Sequence, residues 1–483
     1  MIFNSITFLV FLTIVLGLYY SLAQRARLVM LFVASLIFYG FWQWSYVSLM
    51  IYSVALDYTC AIMIDRSNSC RGRKWWLAIS MVGNLGMLFV FKYLLFTIGN
   101  VESVFQTIGL NWSLPHPEIV LPLGISFYTF QTMSYSIDVY RGLIKPERNL
   151  ILLGTYVTFF PQLVAGPILR ATEVIPQLIK RPTFDWDNIF YGAERILNGL
   201  FLKVVLADNI AGFVDDGFGQ GFATLSAIDT WTLSFLFGFQ IYFDFSAYSH
   251  IALGSARMMG IVFPENFNFP YFSTSPREFW KRWHISLSSW IRDYLYLPLC
   301  GAKIQDRSEG GLPTEQGKQR SPTLALFLTW AIMGMWHGAN WTFLYWGIFH
   351  ATWIFSYRTL VPVLNHLPQR VRRYGAWPVT LLLAMASWIP FRAESVSDAF
   401  ALHTKLINPT AYTWLGMREN TYIVAALVML GMCVTYLVKT QLSERLKNRA
   451  YAWFLTHSPV MGVQLALVYI FLRPVQQFIY FQF

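Results

Sequence analysis

Residues 321–357 contain no Asp, Glu, Lys or Arg, and this charge-free length constrains the fold more than any other feature of the sequence. An apolar helix needs about 20 residues to cross a bilayer, so we expect a membrane-embedded segment with a break near Gly338. His337 and His350 are its only imidazoles. Burying an imidazole in hydrocarbon is unfavourable unless it is paired or hydrated. His337 is therefore either a functional group or a neutral histidine bonded to a neighbouring helix.

Apolar runs recur along the whole chain. Of the 483 residues, 55% are hydrophobic and only 13% are charged. This composition predicts an all-α polytopic membrane protein, with one membrane-embedded domain over residues 1–483 and roughly 11–14 spans and re-entrant helices. The expected segments are 6–22, 29–43, 46–64, 76–97, 119–137, 149–168, 189–212, 228–248, 324–344, 346–362, 376–391, 421–438 and 452–472.

The formal net charge of +11 comes from basic residues in short loops beside the expected spans. Basic clusters follow the first, third and fifth spans, whereas the loops after the second and fourth carry no Lys or Arg. Because cytoplasmic loops are enriched in Lys and Arg, this alternation places the N-terminus outside the cytoplasm. The basic loop at 439–449 then places the C-terminus outside as well. The partner of this charge is the lipid bilayer, not nucleic acid.

Several cofactor classes lack their sequence signatures. The four cysteines (Cys60, Cys70, Cys300 and Cys433) are scattered and form no CxxC pair, so neither a disulfide framework nor a zinc site is indicated. There is no phosphate-binding glycine motif. We expect no metal and no permanently bound cofactor.

Residues 275–297 have the pattern of an amphipathic helix. Ser275 is a suitable N-cap, Pro276 suits the first helical position, and Glu278 completes a capping box. A Trp-rich apolar stripe opposes a basic face, which is typical of a helix lying in the membrane interface. The polar residues 301–321 that follow are interpreted as a flexible loop.

Two histidines are the main candidates for catalysis. His284 lies at the border of the amphipathic stripe and could face His337. If the two converge, one imidazole can act as a general base while the other orients substrate or stabilises charge. Zinc binding by these histidines is the competing interpretation, but no third ligand has suitable spacing.

Four further residues are expected to contact substrate: Trp336, Asn340, Trp341 and Asp244. Asn340 and Trp341 follow His337 by three and four residues, and helical spacing would place them beside it. A structural hydrogen bond between helices is the alternative for Asn340. Asp244 is a carboxylate within an aromatic span, and pairing with a basic residue is its alternative role.

The C-terminal tail at 473–483 is apolar to its end, although chain termini are usually polar and frayed. We expect this extracytoplasmic tail to pack into the protein or to lie on the membrane interface. Tyr480 is its only side-chain hydroxyl. An aromatic membrane anchor is one interpretation of that residue.

Five motifs together resemble the membrane-bound O-acyltransferase family, in particular its bacterial polysaccharide-acetylating branch. They are LPLGISFYTFQ at 121–131, FPQLVAGP at 160–167, QIYFDFS at 240–246, FWKRWH at 279–284 and MWHG at 335–338. One departure is His250, where the family pattern has an Asp. The resemblance implies a helical bundle around a central funnel, with His337 as the active-site histidine and His284 as the second family histidine.

The resemblance also implies a reaction. Family members take an acyl group from a cytoplasmic donor, acetyl-CoA or an acyl-carrier thioester, and pass it to an extracytoplasmic acceptor. A periplasmic SGNH-type partner completes the transfer to an exported polysaccharide. The tail around Tyr480 is similar to the aromatic motif of the small subunit in related D-alanylation systems. This similarity suggests that Tyr480 receives the acyl group, with His337 as its base.

We therefore predict an O-acyltransferase of the bacterial inner membrane that acetylates an exported polysaccharide such as alginate, cellulose or peptidoglycan. D-alanyl transfer is the alternative reaction. The alternative from another class is a transporter that moves an acyl donor or glycan without bond chemistry.

Overall fold

The computed structural model describes residues 1, 3–164, 166–180, 183–303, 315–316, 321–413, 415–442, 450–472 and 479. Within these residues the chain is mostly helical, which confirms the predicted fold class. The first half contains α1 (Ile6–Ser21), α2 (Gln24–Gly40), α3 (Val47–Arg66), α4 (Cys70–Leu88), α5 (Leu94–Thr107), α6 (Ile125–Arg141), α7 (Leu150–Thr158), α8 (Phe160–Leu163), α9 (Ala171–Ile179), α10 (Trp186–Leu200), α11 (Asp208–Phe218) and α12 (Ala227–Met258).

The second half continues with α13 (Pro276–Arg282), α14 (Ile285–Ile291), α15 (Leu297–Leu299), α16 (Pro322–His337), α17 (Trp341–Leu364), α18 (Gln369–Ala386), α19 (Ile389–Arg392), α20 (Val396–Ile407), α21 (Glu419–Leu437) and α22 (Ala450–Phe471). Short π-helical segments, Phe89–Tyr93 and Phe201–Ala207, join α4 to α5 and α10 to α11. Inside the predicted polar loop, β1 (Ala302–Lys303) pairs antiparallel with β2 (Glu315–Gln316).

Several helices suit a membrane crossing by length and composition. In the described part of the chain, five helical stretches are long and apolar enough: Trp44–Arg66, Cys70–Thr107, Trp186–Phe218, Gln369–Arg392 and Glu419–Gln441. Ile6–Ser21 and Ser458–Phe471 are shorter apolar helices. The predicted total of 11–14 spans and re-entrant helices stays a prediction.

The centre of the bundle is α12, which is 32 residues long and buried along most of its length. Ser226 and Asp229 form a capping box at its start, each side chain accepting a backbone N–H of the other. The helix packs against α10, α11, α18, α20 and α21. A charged residue on α12 is therefore enclosed by protein and not by lipid.

The predicted segment 149–168 is interrupted by a break between α7 and α8. Two of its polar groups are satisfied by protein: the Phe160 N–H donates to Ser35 Oγ at 3.1 Å, and Gln162 Nε2 donates to the Tyr156 carbonyl at 2.7 Å. Phe159 and Phe160 are fully buried. Irregular backbone at membrane depth requires such enclosure.

Helices α16 and α17 form a tight hairpin. A Cβ atom added at Gly334 would lie 2.2 Å from the Phe343 carbonyl oxygen, and one added at Gly347 would lie 2.2 Å from that of Trp330. Both separations are far inside van der Waals contact, so the two backbones meet only because these residues are glycine. The hairpin fixes the position of the turn that follows His337.

Candidate active site

His337 is the last residue of α16. The next residue, Gly338, is extended, and a Cβ there would lie 2.0 Å from the Phe343 ring. Asn340 then caps α17 by accepting the Thr342 N–H at 3.1 Å. The predicted break near Gly338 is confirmed. The expectation that Asn340 and Trp341 flank His337 at helical spacing is wrong, because the helix ends at His337.

The His337 ring lies in an aromatic cage. Its centroid is 4.9 Å from that of Trp336, 4.8 Å from Trp346 and 5.5 Å from Phe391. The residue is only 6% exposed. Lys92 donates to the carbonyls of Trp336 at 2.6 Å and of His337 at 2.9 Å. This ammonium satisfies two of the carbonyls that a helix C-terminus leaves unpaired.

His284 occupies the junction between α13 and α14 in the left-handed conformation, with φ of 43°. The single helix predicted over 275–297 is therefore wrong: it breaks at Trp283 and His284. The cause is a distant segment, since the Ile285 N–H donates to the Asn266 carbonyl at 2.9 Å instead of continuing the helix. Trp280 and Trp283 are buried within the protein. The interfacial placement of this region stays a prediction.

The hydrogen bonds around His284 determine its tautomer. Its Nδ1 lies 3.1 Å from Asn266 Oδ1, which also accepts the Ser286 N–H at 3.2 Å. A backbone N–H can only donate, so the Asn266 atom is the oxygen and His284 Nδ1 carries the proton. In the neutral ring, Nε2 then keeps its lone pair. It is buried, and no residue in the described part of the chain hydrogen-bonds to it.

The structure brings His284 and His337 into one region. Phe127 contacts both His284, at 6.1 Å between ring centroids, and Trp336, at 5.7 Å. His284 is close enough to His337 to interact with it electrostatically. The catalytic roles assigned to the two rings stay predictions.

His350 is a third buried imidazole beside this pair, and its place at the site was not predicted. Its ring lies 4.6 Å from that of Trp346 and 5.0 Å from that of Trp280. Both of its ring nitrogens lack a hydrogen-bond partner among the described residues. The sequence did contain a sign of this role, because His350 is the second imidazole in the charge-free residues 321–357.

A cavity of about 690 Å³ opens next to the turn after His337. Its wall contains Phe91, Lys92, Leu121, Asp215, Phe218, Gly219, Phe222, Ala339, Asn340, Thr342, Phe343, Phe391, Arg392, Ala393 and Glu394. His337 does not line it directly, but Lys92 and Phe391 line it and also contact His337. The Phe391 side chain therefore lies between a substrate group in this cavity and the His337 imidazole.

The four residues expected to contact substrate do not lie together. Asn340 lines the cavity. Trp341 faces a separate groove of about 360 Å³ and donates to Asn100 Oδ1 at 2.8 Å. Trp336 is buried and stacks on Phe130 at 5.3 Å. Substrate contact by each of them stays a prediction.

Asp244 lies halfway along α12 and is 2% exposed. Its Oδ1 is 2.8 Å from Lys203 Nζ, which is also 2.9 Å from Asp208 Oδ1. The interpretation that Asp244 pairs with a basic residue is confirmed. Its Oδ2 accepts the backbone N–H of Ile479 at 2.7 Å.

The C-terminal tail packs into the protein at Ile479, which is 4% exposed and belongs to the main hydrophobic core. Phe245, the residue after Asp244, packs against the His284 ring at 4.6 Å. Ile479 is therefore bound one residue along α12 from the contact with His284. Tyr480 lies outside the described residues.

Residues 147–391 match the model of the MBOAT, membrane-bound O-acyltransferase, family. A probable alginate O-acetylase AlgI of Pseudomonas aeruginosa is 37% identical over 442 residues, which cover 89% of this chain and 81% of the relative. The chain belongs to the membrane-bound O-acyltransferase family. It is a membrane acyltransferase, so the transporter alternative does not hold.

Other relatives of this membrane-bound O-acyltransferase differ in their named reactions. A peptidoglycan O-acetyltransferase of Helicobacter pylori is 29% identical over 500 residues, covering 94% of this chain and 91% of that protein. A teichoic acid D-alanyltransferase of Streptococcus thermophilus is 29% identical over 235 residues, covering 47% and 54%.

The region matched to the membrane-bound O-acyltransferase model includes His284, His337 and Asp244 but neither Lys92 nor the tail. Lys92 is a site residue that the sequence interpretation missed. The sequence could have indicated Lys92, because it is the only charged residue in the predicted span 76–97. A charge at membrane depth usually marks function. Asn266 was also missed, and no local pattern indicates it.

Proposed function

We propose that this enzyme transfers an acetyl group from a cytoplasmic thioester to Tyr480, and onward to a hydroxyl group of an exported polysaccharide. The donor is acetyl-CoA or an acyl-carrier thioester, and the membrane is the bacterial inner membrane. Both termini face the periplasm, where an SGNH-type partner completes the transfer. Alginate, cellulose and peptidoglycan are the candidate polymers.

The observation that carries this proposal is the position of the tail. Ile479, the residue before Tyr480, is buried against Asp244, and the next residue of α12 contacts His284. A membrane anchor would not need a buried residue bound one position along α12 from a contact of His284. An acyl-accepting hydroxyl must approach a general base there.

The relatives support acetyl transfer over D-alanyl transfer. The two relatives named as acetylating enzymes of polysaccharides cover most of the chain, whereas the D-alanyltransferase covers about half of it. This chain also carries its own aromatic tail with Tyr480. D-alanyl transfer remains the second candidate because of that partial similarity.

In the proposed first step, His337 takes the proton of the Tyr480 hydroxyl as the phenolic oxygen attacks the thioester carbonyl. The new C–O bond forms and the C–S bond breaks. The imidazolium then returns its proton to the departing thiolate, so the base is regenerated. The single proton of the hydroxyl goes to His337, so the lone pair of His284 Nε2 is left to orient a hydrogen-bond donor of the thioester substrate. In the second step a hydroxyl group on the periplasmic side attacks the acetyl carbon, the C–O bond to Tyr480 breaks, and the proton of that hydroxyl passes to the tyrosine phenolate.

The test uses the full-length protein in proteoliposomes with a radiolabelled acetyl thioester. Wild-type protein is expected to acquire label on the peptide containing Tyr480, as identified by mass spectrometry. Tyr480→Phe keeps the aromatic ring but removes the nucleophile, so it should acquire no label there and should not support polysaccharide acetylation in cells. Full acetylation by Tyr480→Phe would reduce that residue to an anchor. Label from a D-alanyl thioester instead would favour the second candidate.

A further inference from the structure

We propose that the buried ion pair of Lys203 and Asp244 is the docking site for the chain's own C-terminal tail. The pair holds the backbone at Ile479 and thereby positions the residue that follows. Its value as a positioning device for Tyr480 rests on the proposed relay, whereas the docking itself does not.

The geometry divides the Asp244 carboxylate between two partners. Oδ1 faces the Lys203 ammonium at 2.8 Å, and Oδ2 accepts the Ile479 N–H at 2.7 Å. The Lys203 and Asp244 side chains are only 2% and 3% exposed. Ile479 is therefore attached by a charge-assisted hydrogen bond inside the protein, and this class of hydrogen bond is stronger than a neutral one.

The ion pair is not needed merely to fill space. Replacing a buried ion pair by apolar side chains of similar volume is often neutral or stabilising, because desolvation offsets much of the attraction. An apolar pair, however, offers no acceptor for a buried backbone N–H. Asp208 is a second carboxylate on Lys203, at 2.9 Å, whereas the acceptor for the Ile479 N–H is Asp244 Oδ2.

The dock is one residue along α12 from a contact of His284, one of the two proposed catalytic groups. Phe245 follows Asp244 on α12 and packs against His284 at 4.6 Å between ring centroids. Tyr480 follows Ile479 directly in the sequence. Binding of Ile479 by Asp244 therefore restricts the position of the next residue, Tyr480. Asp244 is in this sense a positioning residue.

The test measures the reactivity of a thiol at position 479 toward N-ethylmaleimide in the full-length protein, using Ile479→Cys. The experimental variant adds Lys203→Met and Asp244→Leu together, which removes both charges of the buried pair, while the Asp208 carboxylate keeps its partial contact with solvent at 16% exposure. Its matched control adds Asp208→Asn, which removes the other carboxylate from Lys203 but keeps the acceptor for the tail. Native Cys60 is buried, and its labelling, read by mass spectrometry, reports general loosening of the fold.

We expect the double substitution to raise labelling at position 479 by about tenfold or more, the factor that corresponds to losing a hydrogen bond to a charged group. Labelling of Cys60 should not change, and the Asp208→Asn control should stay protected. Equal protection of position 479 in the double variant would overturn the dock. Increased labelling of Cys60 alongside position 479 would also overturn it, because the pair would then support the whole fold.

A second measurement separates the dock from the relay. In the background with Ile479 intact, the double variant should lose label on the Tyr480 peptide at least about tenfold, while Asp208→Asn retains it. A released tail with full polysaccharide acetylation would contradict the relay and leave the dock standing. A protected tail with lost acetylation would contradict the dock and leave the relay standing.

Discussion

The ammonium group of Lys92 lies 2.9 Å from the carbonyl oxygen of His337, so a cation from the π-helical segment Phe89–Tyr93 holds the end of the helix that carries the candidate base. The same Lys92 group also donates a hydrogen bond to the carbonyl oxygen of Trp336, at 2.6 Å. Beside it, the Tyr93 hydroxyl donates to the Met335 carbonyl at 3.0 Å. Three successive carbonyls are thus held from one segment, which fixes the orientation of the His337 backbone.

Lys92→Met should lower kcat about tenfold to a hundredfold, because both carbonyls lose their donor and the imidazole is no longer held in place. The measurement is acetyl transfer by purified protein in proteoliposomes, normalised to folded protein. Lys405→Met is the matched control, since Lys405 likewise donates to backbone carbonyls, those of Phe222, Ala223 and Leu225. Equal losses of kcat in the two variants would show that Lys92 has no special connection to His337.

His337→Ala should lower the acetyl-transfer rate by about a hundredfold to ten-thousandfold, which is the range for losing a general base. His350→Phe is the matched control, because both imidazoles are buried and both contact Trp346. A phenyl ring preserves the aromatic packing, so we expect this control to keep most of the activity. The catalytic assignment fails if His337→Ala transfers acetyl groups at a near-normal rate while inserted in the membrane.

Local sequence patterns predicted the end of α16 but not the break at His284, and the reason is physical. Residues 321–357 are too long for one span, and Gly338 marks where the helix must stop. Residues 275–297 keep a helical spacing throughout. Their break depends on Asn266, whose backbone and side chain take the N–H groups of Ile285 and Ser286. A contact between distant segments leaves no trace in local periodicity.

The electrostatic partners were similarly hard to predict. A lone carboxylate such as Asp244 requires a partner within a membrane bundle, but the sequence does not say which of many basic residues provides it. Lys203 reaches it because α10 and its π-helical extension pack along α12. The anchoring of Ile479 depends on the same long-range packing. The type of partner was predictable, and its identity required the fold.

Asn266→Ala should lower the acetyl-transfer rate by at least about tenfold, because the His284 ring loses the acceptor that fixes its tautomer and orientation. The matched control is Ser249→Ala. Ser249 accepts from Asn266 Nδ2 at 3.4 Å, so its removal leaves the oxygen beside His284 in place. The test compares kcat and KM for the two variants. An unchanged rate in Asn266→Ala would show that the orientation of His284 does not matter for transfer.

Gly347→Ala should destabilise the protein by about 1–3 kcal/mol, since overpacking forces neighbouring backbones apart. The added methyl group would lie 2.2 Å from the Trp330 carbonyl oxygen, across the hairpin of α16 and α17. Gly17→Ala in α1 is the matched control, because a Cβ at that position has no neighbour within 4 Å among the described residues. Thermal unfolding in detergent should show a lower midpoint for Gly347→Ala and an unchanged or higher one for Gly17→Ala.

Because the hairpin positions His337, Gly347→Ala should also lose acetyl transfer at temperatures where it is still folded. Loss of activity only in step with unfolding would mean that the close approach of the helices serves stability alone.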